Sequence, residues 1–265
     1  MPTSPAVDAF LLTGIAVLSF LVAFLFSNLG LGGGLLYMPL LVLIGTLPFP
    51  EARPISLAAA AATSVASAYN HHRAGKLAVR KGAIAAGGTI AGVVAGLFII
   101  RFVPDEIMEI AFGAFLIGVA VKVYLDLDKD DKALTLGAWM LPVATALAFA
   151  SGLVSIALAV GGGLLLVPLF VYVMHVEPRA AVGTASMVAA INTIAGFALL
   201  FAYHSPETRF DFVPIVLLGA VALVGSFLGS RWGLKNLKTR TVYVLVIIVM
   251  IAAAAAMLAR GLGLM

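Results

Sequence analysis

The sequence predicts an all-α integral membrane protein of about ten transmembrane segments, built as two five-helix inverted repeats, with one short segment in each half broken at a glycine triplet. Three observations predict it. The composition is too apolar for a soluble domain, the apolar residues fall in ten runs separated by short polar stretches, and one series of motifs occurs twice.

Hydrophobic residues make up 63% of the 265 positions and charged residues 11%. A soluble domain is nearer half apolar and about a quarter charged. A water-soluble fold of this size would have to expose the excess, so lipid is the better solvent and the bilayer the first partner. The 16 Lys and Arg sit in short clusters between apolar runs. The basic balance therefore reads as membrane-flanking charge, and no nucleic-acid partner is expected. The chain has no cysteine, hence no disulfide framework and no thiolate metal site.

Runs of spanning character lie at 6–29, 53–70, 80–101, 105–125, 134–156, 179–203, 211–231 and 239–260. Each approaches or exceeds the roughly 20 residues that cross a hydrocarbon core about 30 Å thick. The first has no basic residue before it and is long for a signal-peptide core, so it is expected to stay as the first membrane helix. Two shorter runs, 34–46 and 163–175, either fail to cross or begin inside the membrane at a broken turn.

Loop charges separate these two arrangements. If all ten runs advance the chain across the bilayer, twelve basic residues share one side: Arg73, Lys76, Arg80, Lys81, Lys122, Lys129, Lys132, Arg179, Arg231, Lys235, Lys238 and Arg240. Four share the other: Arg53, Arg101, Arg209 and Arg260. If the short runs instead leave by the face they entered, the split is nine to seven. The positive-inside rule selects the first arrangement, with both termini outside. The polar stretch 126–132 then forms a cytoplasmic linker between a first half, 1–125, and a second, 133–265.

The halves repeat each other. Gly32-Gly33-Gly34-Leu35-Leu36-Tyr37-Met38-Pro39-Leu40 and Gly161-Gly162-Gly163-Leu164-Leu165-Leu166-Val167-Pro168-Leu169 share seven residues of nine. A Glu-x-Arg follows each block (Glu51/Arg53, Glu177/Arg179), then Ser56/Thr63 and Ser186/Thr193, then Gly92/Gly96 and Gly225/Gly229. Five segments per half is an odd number, so the second half enters from the opposite face. Inverted repeats with broken helices mark secondary transporters, whose sites lie near the midplane between the repeats.

These blocks resemble the TauE/SafE (TSUP) family of sulfite exporters. The residues that carry the resemblance are the Gly-Gly-Gly-Leu-Leu-x-x-Pro blocks at 32–39 and 161–168, the run Ala52–Leu57, the run Ala181–Thr184, and the loop His71-His72-Arg73-Ala74-Gly75-Lys76. It covers nearly the whole chain. The first half departs from the family's Gly-Thr-Ser pattern, with Pro54-Ile55-Ser56 in its place. The resemblance implies movement of sulfite, sulfoacetate or another organosulfonate, or a related sulfur anion, across a bacterial inner membrane; the residues themselves lead to the expectation of no metal and no cofactor.

Gly32, Gly33 and Gly34, with Gly161, Gly162 and Gly163, are the leading substrate-binding candidates. Glycine lets a ligand approach the main chain, and each triplet opens a helix whose first N–H groups lack intrahelical partners. The same glycines could serve only as tight turns for close helix packing. Ser56, Thr63, Ser186, Thr193 and the neighbouring Asn192 form two polar stripes that either donate to anion oxygens or join helices. Asn28 and Ser151 are weaker candidates. Arg53 and Arg179 recur near helix starts, either drawing anions to the two mouths or anchoring the interface. The four histidines are expected in solvated loops, and no metal-ligand spacing joins them. No carboxylate is expected deep in a span (Asp8 lies near the outer end of its run and the rest are expected in loops), no nucleophile–base pair suggests an intramembrane enzyme, and no phosphate loop suggests ATP drive. Facilitated export by alternating access fits this inventory, because an inside-negative potential drives anions outward. An anion channel, or an importer of sulfate or thiosulfate, is the alternative, and no oligomeric state is assigned.

Overall fold

A computed structural model describes residues 9–27, 34–126, 139–203, 212–236 and 239–264. Among them the chain is helical with no strand. The helices are α1 (Ala9–Phe26), α2 (Gly34–Pro39), α3 (Phe49–Arg73), α4 (Val79–Ile99), α5 (Asp105–Asp126), α6 (Met140–Leu158), α7 (Gly163–Pro168), α8 (Pro178–Ala202), α9 (Phe212–Asn236) and α10 (Thr239–Gly261). Each overlaps one of the ten apolar runs. Four helical stretches, Val79–Phe102, Met140–Leu158, Pro178–Ala202 and Phe212–Trp232, are long and apolar enough to cross a membrane. Large apolar side chains face outward along them, among them Ile90, Val94 and Phe98 of α4 and Val216, Leu223 and Val224 of α9. A water-facing surface would not carry such a continuous apolar coat. The protein is a multi-pass membrane protein.

The two short runs are built alike. α2 continues into a wider π-helical turn, Leu40–Ile44, and α7 into another, Leu169–Val173. Proline sits just before each turn, at Pro39 and Pro168. It supplies no N–H and crowds the preceding turn, which favours a local change of pitch. Gly45 N–H then donates to the Leu40 carbonyl at 3.0 Å, as Met174 N–H does to Leu169 at 2.9 Å. Thr46 and His175 close the two turns with the same left-handed backbone, φ 53° in each. A shift of 129 residues takes every one of these positions to its counterpart. Eleven helical residues reach only about 17 Å, roughly half of the hydrocarbon core. Each short helix therefore starts at depth.

Helix directions follow from the contacts. Parallel packing joins α4 to α6, where Gly88 meets Thr145 and Ala148, Gly92 meets Phe149, and Gly96 meets Ile156. It also joins α1 to α9, where Gly225 meets Phe20 and Gly229 meets Phe24. These are equivalent pairs in the two halves, and their glycines let the backbones touch. The homologous helices α3 and α8 run antiparallel: Gly196 lies on Leu57, Ser67 bonds Ser186 and Gly183 lies on His71. α5 and α10, also homologous, are antiparallel as well, with Gly113 near Ala254 and Gly261 near Ile110. α3 runs parallel to α9, with Ser226 on Thr63 and Ser230 on Asn70. Had the short runs left by the face they entered, α3 would run parallel to α8 and antiparallel to α9. All ten runs therefore advance the chain, and the second half is inverted.

Two sequence expectations are corrected here. Histidine is not confined to solvated loops: α3 runs on to Arg73, so His71 sits in its last turn, buried against Gly183, with neither ring nitrogen partnered among the described residues. His72 and His175 are exposed, and His204 lies outside the described residues. Nor are carboxylates confined to loops. Glu109 is buried in the second turn of α5, 3.2 Å from Arg260, whose guanidinium also donates to the Val42 carbonyl at 2.6 Å.

Candidate substrate site at the crossing of the repeats

The antiparallel helices α3 and α8 pack on each other across the repeats, and the broken segments pack on them, α2 on α3 and α7 on α8. α6 ends at Leu158, and the chain turns through Ala159 (φ 54°), Gly161 (φ 80°) and Gly162 (φ 70°) before α7 begins at Gly163. Three left-handed residues in four reverse the chain tightly, which explains two of the glycines. Two hydroxyls, one from each half, hold the turn. Ser56 Oγ donates to the Ala159 carbonyl at 2.9 Å, and Ser151 Oγ donates to the Gly162 carbonyl at 2.7 Å.

Gly34, the first residue of α2, packs directly on this turn. A Cβ there would lie 2.5 Å from the Val160 carbonyl carbon. The amino ends of α2 and α7, from opposite halves, are thus neighbours. Gly161 faces the α3/α8 crossing, where a Cβ would lie 3.4 Å from Thr193 Cγ2 and 3.7 Å from Ala60 Cβ. A Cβ on Gly162 would lie 2.6 Å from Ser151 Oγ and 2.9 Å from Asn192 Nδ2. Gly163 is buried at the head of α7. Gly32, Gly33 and Asn28 lie outside the described residues.

Of the polar stripes, Ser56, Thr193 and Asn192 meet this turn, and every member of the stripes is buried. Thr63 Oγ1 is 2.6 Å from Tyr37 Oη and also donates to the Ala59 carbonyl at 2.9 Å. Thr193 Oγ1 donates to the Ala189 carbonyl at 2.7 Å. Ser186 Oγ donates to the Val182 carbonyl and lies 3.0 Å from Ser67 Oγ. Asn192 Oδ1 accepts from Ser155 Oγ at 3.0 Å, while Asn192 Nδ2 has no partner among the described residues. The sequence left two roles open for these hydroxyls, donation to a ligand or the joining of helices. In this conformation most of their protons lie on backbone carbonyls, and the Asn192 amide is a free buried donor, as are Arg53 Nε and Ser64 Oγ among the described residues. Ser155 and Ser67 were missed at the sequence level. Nothing in their spacing sets them apart from other small helix residues.

Arg53 and Arg179 are not equivalent. The register that pairs Ser56 with Ser186, a shift of 130, takes Arg53 to Gly183. Arg53 is buried in the second turn of α3, its guanidinium 5.4 Å from the Phe49 ring centroid and within electrostatic reach of Asp105. Arg179 is exposed in the first turn of α8. The acidic partner of that end, Glu177, is 3.1 Å from Lys76 across the repeats.

A sequence model of the family described as "Sulfite exporter TauE/SafE" matches residues 15–257. The chain is 27% identical over 223 residues to the "Probable membrane transporter protein YdhB" of Bacillus subtilis, covering 82% of this chain and 89% of that protein. It is 30% identical over 188 residues to a "Probable membrane transporter protein" of Haemophilus influenzae, covering 66% of this chain and 68% of that one. No solved structure matches the chain.

Proposed function

This chain belongs to the sulfite exporter TauE/SafE family, a family of membrane transporters, and on that premise we propose that it is a secondary transporter of a small sulfur-containing anion. Sulfite or an organosulfonate such as sulfoacetate is the substrate class. Transport is export across the bacterial inner membrane by alternating access, with both termini outside and no cofactor. Gly32, Gly33, Gly34, Gly161, Gly162 and Gly163 present main-chain N–H groups to the anion. Asn192 donates beside them, and Ser56, Thr63, Ser186 and Thr193 shape the walls. Arg53 and Arg179 act from different depths, Arg53 within the bundle and Arg179 at its surface.

One observation carries this reading: the start of α2 touches the turn that leads into α7, Gly34 against Val160, inside a membrane-spanning bundle. Two partly unpaired helix starts side by side repel each other and attract a shared negative charge. The opposed directions of the two halves add the second requirement of alternating access, a site that either half can open.

The test is a flux assay in proteoliposomes with sulfite, sulfate, thiosulfate, taurine and sulfoacetate as solutes. Saturable, counterflow-competent movement of a sulfur oxyanion is expected. Movement of cations or neutral solutes alone would refute the proposal. Non-saturable anion flux without counterflow would assign the protein to the channel class.

A further inference from the structure

We propose that Asn192, oriented by Ser155, is the specificity-determining donor of the transport site, and that it selects a small, fully ionised oxyanion over a ligand that carries its own ammonium group. The inference rests on the reading of the protein as an anion transporter and sharpens it to a substrate class.

The amide is held in one orientation. Ser155 Oγ donates to Asn192 Oδ1 at 3.0 Å, and both residues are buried. With its oxygen engaged on α6, the side chain turns its nitrogen toward the α6–α7 turn, where a Cβ on Gly162 would lie 2.9 Å away. That nitrogen has no partner among the described residues. A buried N–H without an acceptor is costly and uncommon, and it is accounted for if the ligand supplies the acceptor. Gly162 lets the turn lie directly against Asn192 Nδ2 and Ser151 Oγ, where a Cβ would clash with both.

The surroundings define what such a ligand must be. Ser151, Ser56 and Thr193 direct their protons to the carbonyls of Gly162, Ala159 and Ala189. Those carbonyls already accept a hydrogen bond, and none carries the negative charge that an ammonium group would need. The buried carboxylate among the described residues, Glu109, is bound by Arg260 on α10. An ammonium group would therefore be desolvated without a counterion, at a large cost. An ionised sulfur oxyanion brings only acceptors, which match the amide N–H and the main-chain donors of α7.

The first half lacks this group. The register pairing Thr63 with Thr193 places Ala62 opposite Asn192. The same helix in the other repeat thus accepts alanine at this position, so Asn192→Ala should fold.

The experiment is titration calorimetry of purified full-length protein with sulfite, sulfoacetate and taurine, for the natural chain, Asn192→Ala, Asn192→Asp, Ser155→Ala and Ser155→Thr. The natural chain should bind sulfite and sulfoacetate and leave taurine unbound. Asn192→Ala should weaken anion binding roughly tenfold or more, and Asn192→Asp should abolish it, because it replaces a donor with a negative charge. Ser155→Ala should weaken binding and Ser155→Thr should restore it. The ligand-free thermal midpoint of Asn192→Ala should hold or rise, because an unpaired amide is removed; a purely structural asparagine would lower it. Unchanged anion affinity in Asn192→Ala, or taurine bound as tightly as sulfoacetate, overturns this inference and leaves the anion-transporter reading intact. Failure of the natural chain to bind any of the anions would remove that reading itself.

Discussion

Gly34 at the head of α2 rests on the backbone of Val160, the residue just before the glycine triplet of the other repeat. The two broken helices thus begin at one place, although 129 residues separate their equivalent positions in the chain. The contact has no room for a side chain, because a Cβ on Gly34 would lie 2.5 Å from the Val160 carbonyl carbon and 2.6 Å from its oxygen. Both are main-chain atoms and cannot rotate away.

Gly34→Ala is therefore expected to force the two turns apart, at a cost of about 1–3 kcal/mol. The thermal midpoint in detergent should fall by several degrees and flux should be lost. Retained flux with an unchanged midpoint would show that the helix starts are not in contact in the working protein.

The turn itself offers a paired test. Ala159 adopts φ 54°, a left-handed conformation that a Cβ disfavours by about 1–2 kcal/mol. The matching residue of the first half, by the shift of 129, is Gly30. Ala159→Gly should be neutral or stabilising in thermal unfolding. Gly162→Ala should do the reverse, because it adds the same strain at φ 70° and places a methyl against Ser151 and Asn192. Equal effects of the two changes would contradict the turn geometry.

Arg260 and Glu109 tie α10 to α5, and Arg260 also tethers the π-helical turn after α2 through Val42. Arg260→Met leaves a buried carboxylate without its partner and a carbonyl without its donor. Its cost is expected at about 3 kcal/mol or more, whereas Glu109→Gln retains an acceptor and should cost less. Thermal or denaturant unfolding of the two variants gives the order. A larger loss in Glu109→Gln would show that the carboxylate is not the dependent partner.

The inverted repeat predicts sidedness. Arg73, the last residue of α3, and Arg101, just after α4, are both exposed and are separated by the α4 span, and the chain has no native cysteine. In intact cells an impermeant maleimide should label Arg101→Cys and reach Arg73→Cys only after permeabilisation. The reverse pattern would place the termini inside. Labelling of both from one face would break the ten-span topology.

Much of this architecture was legible in the sequence because it depends on the main chain. Pro39/Pro168 and the residues that follow them are backbone and register features, and they reappear as matching π-helical turns, down to the shared φ of Thr46 and His175. Loop charge was informative for the same reason, since hydration of Lys and Arg does not depend on packing detail. Side-chain placement was not legible. Glu51/Arg53 and Glu177/Arg179 match as letters, yet Arg53 lies five residues into its helix and Arg179 two, so they point from different turns. His71 reads as a loop residue until α3 is seen to extend past it to Arg73. A hydroxyl's donor is committed by whichever carbonyl lies nearest, and for Ser56 that carbonyl is Ala159, contributed by the other half of the molecule.

The most direct measurement is the position of the bound anion. Crystals of the protein soaked in selenite, an anomalous scatterer that mimics sulfite, locate it without assumption. The account predicts a selenium peak between the starts of α2 and α7, within hydrogen-bonding distance of Asn192 Nδ2 and the main chain after Gly162. Selenium bound only at the exposed Arg and Lys clusters, with the Gly34–Val160 junction empty, would contradict it.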